Sequence, residues 1–143
     1  MNKIFKVFIP LSLIAAIAIG VCWNNYVAAS IYEKSIECII NSDYEGATEY
    51  LKAVNPKLRD HRLNNVLYPK GKHESFYKDS SCLYAYARAL QCFHEGLPED
   101  YIRYYLECIP EDYSGVLSEE INHFIDEFMN EYYSKGSDKD GRK

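Results

Sequence analysis

The apolar run over residues 4–23 constrains this chain more than any other feature. Its only charge is Lys6, close enough to the start for its ammonium to snorkel back to water. At ~1.5 Å per residue a helix of this length spans ~30 Å, the thickness of a bilayer hydrocarbon core. Pro10 falls in the first turns, where it disturbs few hydrogen bonds. A helix that is apolar on every side needs an apolar surrounding, and the rest of the chain makes a domain of only about 100 residues, too small to supply one. Lys3 and Lys6 precede the run, and no positive charge follows it until Lys34. That asymmetry predicts a cytoplasmic N-terminus and a C-terminal domain outside, single-pass in the cell membrane.

Two fates fit the segment. It stays as an anchor, or it is a signal peptide cut near Ala29, where Val27-Ala28-Ala29 offers small residues before Ser30 and the domain is secreted. The length of the run favours the anchor. A lipoprotein site at Cys22 is a weaker reading, because Val21 stands where such sites take Gly or Ala. The expected organisation is therefore an anchor or signal over residues 1–29, a helical domain over 30–133 and a disordered polar tail over 134–143.

Beyond the run, apolar residues recur at helical spacing. Tyr32, Ile36, Ile39 and Ile40 predict a helix over residues 28–41, and Asn41-Ser42-Asp43 a turn with Asp43 as N-cap. Ala47, Tyr50, Leu51 and Val54 form the stripe of a second helix, stopped by Pro56. Residues 55–78 read as a basic connector, with one short helix around Leu58, Leu63, Val66 and Leu67. Ser80 or Ser81 caps a third helix, with Leu83, Ala87, Leu90 and Phe93 on its stripe, and Gly96 ends it. Pro98 opens a fourth, bearing Tyr101, Ile102, Tyr105 and Leu106. Ser118 caps a last helix with Ile121, Phe124, Ile125, Phe128, Met129 and Tyr132. The fold class is all-α.

The net charge of −5 hides a split. Residues 55–78 hold six Lys/Arg against two Asp/Glu, and residues 95–131 hold eleven Asp/Glu against Arg103 alone. The acidic half excludes nucleic acid as a partner, since phosphate neutralisation needs a dominant basic surface. The basic connector packs near the acidic half of its own domain, or meets an anionic partner or lipid headgroups. The fourteen tyrosines suit a small core or a binding face, pairing a large ring with a hydroxyl.

Residues 41–54 and 96–109 look alike: a turn residue, an acidic helix start and a Tyr-Leu pair before an apolar close. In Ser42-Asp43-Tyr44-Glu45-Gly46-Ala47-Thr48-Glu49-Tyr50-Leu51 the chain resembles the turn and second helix of a tetratricopeptide repeat. Ala85 and Ala89 match the small residues that let paired helices approach. The chain departs from that family in three ways. The copies are separated by the basic connector, the second has Tyr101 or Ile102 where the first has Ala47, and two copies are fewer than a stable array usually needs. The resemblance implies antiparallel helical hairpins with the last helix as a cap, and a scaffold that binds a protein or peptide in a groove without chemistry. On that reading Tyr84, Arg88 and Gln91, opposite the core stripe of the third helix, are the candidate partner-binding residues. Ordinary solvated helix positions are the other reading.

No catalytic, metal or cofactor motif is present. Cys22 lies in the apolar run, and Cys38, Cys82, Cys92 and Cys108 sit beside apolar residues, as core thiols or as two disulfides of open pairing. There is no C-x-x-C, and Cys92 and His94 point to different faces of a helix. The acidic pairs Glu99-Asp100, Glu111-Asp112 and Glu119-Glu120 are adjacent and suit helix N-termini rather than shared acid–base work. Two further readings stay open: a structural domain that self-associates, and an enzyme or metal-dependent protein using scattered His, Cys and Glu.

Overall fold

The computed structural model describes residues 3–59 and 72–140. Regular structure among the described residues is all α-helical: α1 Lys3–Ile40, α2 Tyr44–Arg59, α3 Lys72–His94, α4 Glu99–Leu106 and α5 Ser118–Asp140. Each of the first four packs on the next in chain order. The short helix expected around Leu63 lies outside the described residues.

Helix α1 is one unbroken element where the sequence predicts an apolar helix and a separate domain helix, so the boundary expected at 29/30 falls inside it. Asn24-Asn25 carries neither proline nor a backbone requirement that would end a helix, and the intrahelical ladder runs through. The two halves of α1 meet different surroundings. Leu13, Ile14, Ile19 and Trp23 are each more than three-fifths exposed, whereas Ala28, Tyr32, Ser35 and Ile39 are buried. α1 is the helix long and apolar enough, by length and composition, to cross a membrane.

The α1–α2 turn is closed by Asp43 N–H to Cys38 O at 2.8 Å and Ser42 N–H to Ile39 O at 3.0 Å, with Ser42 at φ 62°. This left-handed ending satisfies the last carbonyls of α1. Asp43 then caps α2, accepting the Gly46 amide at 3.0 Å on Oδ1. A side chain at position 46 would strike that carboxylate, so glycine is the residue the cap tolerates. The α3–α4 turn repeats the pattern, with Leu97 N–H to Cys92 O at 3.0 Å, Gly96 N–H to Phe93 O at 3.2 Å and Gly96 at φ 65°.

Several helix ends depart from expectation. α2 continues past Pro56 to Arg59. A proline removes one donor from the ladder, and at the end of a helix little is lost by that. α3 starts at Lys72, well before Ser80 and Ser81. Both hydroxyls instead donate back to the Tyr77 carbonyl at 3.0 Å, the alternative to capping that serine has inside a helix. Pro98 is the N-cap of α4 and not its first residue. Leu117, at φ 59°, stands just before α5 where Ser118 was expected to cap it. α5 continues to Asp140, through residues whose polar composition predicts a frayed tail.

Helix α3 is the centre of the domain. Cys82, Leu83, Ala85, Tyr86, Ala87, Ala89 and Cys92 are all buried, so it is covered on more than the one stripe its spacing predicts. Ala85, Ala87 and Ala89 have no side chain beyond Cβ, and neighbouring helices approach closely there. Leu51 and Val54 come in from α2, Ile102 and Leu106 from α4, and Ile121 and Phe128 from α5. Phe124 sets its ring edge-on to Tyr86 at 5.9 Å and Phe93 at 5.8 Å, fastening α5 to α3.

Leu51 and Leu13 test this division. Leu51 is fully buried, so Leu51→Ala is expected to lower domain stability by about 3 kcal/mol. Leu13→Ala removes the same atoms from an exposed site and leaves the melting temperature unchanged. Thermal melts of both variants in lipid nanodiscs check this, and equal losses would contradict the division of α1.

Candidate functional site

Two regions gather the polar chemistry of the domain. The first holds the residues singled out in the sequence. Tyr84, Arg88 and Gln91 form a half-buried rank on α3. Arg88 donates through Nη1 to Gln91 Oε1 at 2.7 Å, and Nε and Nη2 each lie 3.4 Å from the Tyr105 hydroxyl on α4. Its guanidinium carbon is 5.3 Å from the Tyr105 ring centroid, within cation–π range. Gln91 in turn donates to Glu95 Oε1 at 2.8 Å. Arg88 and Gln91 are thus joined in an internal network that ties α3 to α4 through Tyr105, and Tyr84 lies beside them on α3. Arg88 has no carboxylate within ion-pair distance among the described residues. Tyr105, on the expected α4 stripe, was not anticipated as its partner, because helical spacing says nothing of which side chain on another helix a cation meets.

The second region is centred on Asp79, which sequence reading passed over. Its carboxylate accepts hydrogen bonds from the Tyr32 hydroxyl on α1 and the Tyr113 hydroxyl in the α4–α5 loop. It also accepts the Val116 amide at 3.2 Å. Tyr113 OH lies 3.0 Å from the Val116 carbonyl as well. Gly115 passes so close to Asp79 and Tyr113 that a Cβ would collide with both. Phe76, three residues before Asp79, sets its ring tilted against Tyr32 with centroids 4.3 Å apart. One carboxylate therefore holds α1, α3 and the loop before α5 together. Beside it opens a cavity of about 700 Å³, whose walls include Ser81, Cys82, Cys108 and Tyr113.

The chemistry of this cavity is limited by its own bonds. Asp79 has three donors on it, from Tyr32, Tyr113 and the Val116 amide. Burial, followed by the nearby Asp79 charge, pushes the Cys82 thiol up to about 11. At neutral pH it is overwhelmingly the thiol, which is a poor nucleophile and a poor metal ligand. Burial and the hydrogen bond to Asp79 likewise push the Tyr113 phenol up. Cys22, Cys38, Cys82, Cys92 and Cys108 are all free thiols. Among the described residues no three His, Cys, Asp or Glu side chains converge on a point where a metal ion would sit. His94 lies tilted against Tyr44 at 5.3 Å and His123 faces Glu127 at 3.5 Å, each apart from the cavity.

No protein-family model, no curated protein and no solved structure matches the chain.

The raised thiol and phenol set a pH window. A group whose pKa is higher in the folded state stabilises fully below its unfolded value and loses that contribution as pH climbs through the folded one. Cys82 therefore predicts a falling melting temperature between pH ~9 and ~11, worth on the order of 2 kcal/mol. Tyr113 deepens the fall above pH ~10. Cys82→Ala should flatten the first part of that curve, and an identical curve would remove Cys82 from the cause. Asp79→Asn is expected to cost about 2 kcal/mol at neutral pH through its weakened bonds, read by the same melts.

Proposed function

We propose that this chain is a membrane-anchored, exported interaction module of tetratricopeptide-like paired helices that binds a protein or peptide and carries out no reaction. The observation that supports it most is the division of α1, whose first half exposes large apolar side chains and whose second half is buried in the domain. Exposed apolar surface of that extent is stable in lipid and unfavourable in water. Trp23 and Tyr26 stand exposed where the apolar run ends, the depth at which aromatic rings favour the membrane–water interface. Lys3 and Lys6 on the other side orient the helix with its N-terminus inside.

The anchor is favoured over a cleaved signal peptide by the same helix. A cut before Ser30 would fall inside α1 and strip Ala28, 1% exposed, from the core. The repeat reading draws on the two turns, which share one hydrogen-bond pattern at Ser42 and Gly96. It draws also on Ala85 and Ala89, both buried, and on α5, whose Ile121 and Phe128 cover the end of the array. Tyr84, Arg88 and Gln91 form the contact face on this reading, with Arg88 offering a cation that has no carboxylate at ion-pair distance among the described residues. Self-association through the same helices is the competing reading. The internally bonded Asp79 and the protonated Cys82 favour either over an enzyme.

Cys108 is exposed on the domain and gives a direct test. A membrane-impermeant maleimide added to intact cells is expected to label the wild-type chain at full-length mass in the membrane fraction. Cys108→Ser should abolish most of that label. Labelling that requires permeabilised cells, or a mature chain starting at Ser30, would contradict the proposal.

A further inference from the structure

The end of the domain farthest from the apolar half of α1 exposes large apolar residues that helical spacing assigns to the core. Phe93 is 54%, Tyr101 57% and Ile40 66% exposed, and Leu97 stands open beside them. Tyr44 against His94 brings the α1–α2 and α3–α4 turns to this one end. Between the α3–α4 turn and α5 lies a cleft of about 180 Å³, walled by Phe93, Leu97, Ile102 and Phe128. It is too small for a cofactor or drug-sized molecule, whose sites run to ~300–1,000 Å³, and is of a size for one apolar side chain.

Position and charge decide what enters it. From Trp23 to Ile40 the helix rises ~25 Å, so on the anchored reading lipid tails do not reach this end. The surrounding surface belongs to the acidic half, with eleven Asp/Glu against Arg103 over residues 95–131. Glu99 and Glu131 line the cleft itself, and the Asp100 carboxylate beside it is largely exposed. Arg103 lies 3.7 Å from both Asp100 and Glu107. An acidic rim around an apolar slot complements a cationic segment with one apolar side chain, and the open Tyr101 ring adds a face for Lys or Arg.

We infer that this cleft is a docking site for a basic peptide segment of a partner protein, which inserts one apolar or aromatic side chain between Phe93, Leu97 and Phe128 while flanking Lys or Arg residues meet the acidic rim. The site lies apart from the Arg88 face, and its test does not depend on that face or on export.

The probe is a fluorescent peptide, acetyl-Lys-Lys-Phe-Lys-Lys-amide, titrated into the full chain in nanodiscs of neutral lipid. It is expected to bind about tenfold more tightly than its Glu-Glu-Phe-Glu-Glu counterpart, and to weaken as salt is raised. Leu97→Ser with Tyr101→Ser should reduce binding about tenfold with an unchanged melting temperature. Arg88→Gln should leave peptide binding as it was, which separates this cleft from the α3 face. Equal binding of both peptides, no binding, or full binding by the double variant would overturn the inference. So would self-association in sedimentation that the double variant abolishes while the peptide leaves it unaffected.

Discussion

Helix α1 has to satisfy two surroundings with one backbone. Its hydrogen-bond ladder runs without interruption from the exposed apolar residues into the domain, where Tyr32, Ser35 and Ile39 pack. A flexible linker would let the domain turn freely about the apolar segment. A continuous helix fixes the domain's axis to that of its exposed apolar half, so every surface of the domain lies at a set height along α1 from the point where the apolar run ends.

Asp79 is the second device on which the arrangement leans. A small helical domain has a limited apolar core, and the loop before α5 brings little of it. The loop is fastened instead by charge-assisted bonds from Tyr113 and Val116 to one carboxylate, which also grips Tyr32 on α1. Hydrogen bonds to an ionised acceptor are worth roughly twice neutral ones, and a half-buried setting keeps water from competing. The same carboxylate stands in the wall of the adjoining cavity, where burial keeps the Cys82 thiol protonated at neutral pH.

Much of the helical content was legible in the sequence because apolar periodicity is a local signal. Leu51, Val54, Leu83, Ile102, Leu106, Ile121 and Phe128 are buried on the stripes that spacing predicts. Asp43 caps α2 as its position in the turn suggests. What was not legible depended on tertiary context. Asp79-Ser80-Ser81 resembles a helix start, and that likeness hid a carboxylate whose partners lie 47 and 34 residues away. Phe93, Tyr101 and Ile40 sit on predicted stripes, yet each lies close to a helix end and is more than half exposed. The apolar run over 4–23 and the helix predicted over 28–41 join into one element because hydropathy falls between them while the backbone meets no residue that ends a helix. Tyr84, Arg88 and Gln91 lie along α3, and the Gln91–Glu95 bond follows helical i,i+4 spacing, but the contact of Arg88 with Tyr105 on α4 is beyond a one-helix reading.

The account stands on α1 being a single rigid helix from its exposed apolar half into the domain. Amide hydrogen exchange of the full chain in lipid nanodiscs reads this directly. Slow exchange continuing through residues 20–36, with no fast segment at Asn24 to Val27, is the predicted result. Rapid exchange confined to those residues, flanked by protected helix on both sides, would show a hinge and contradict it.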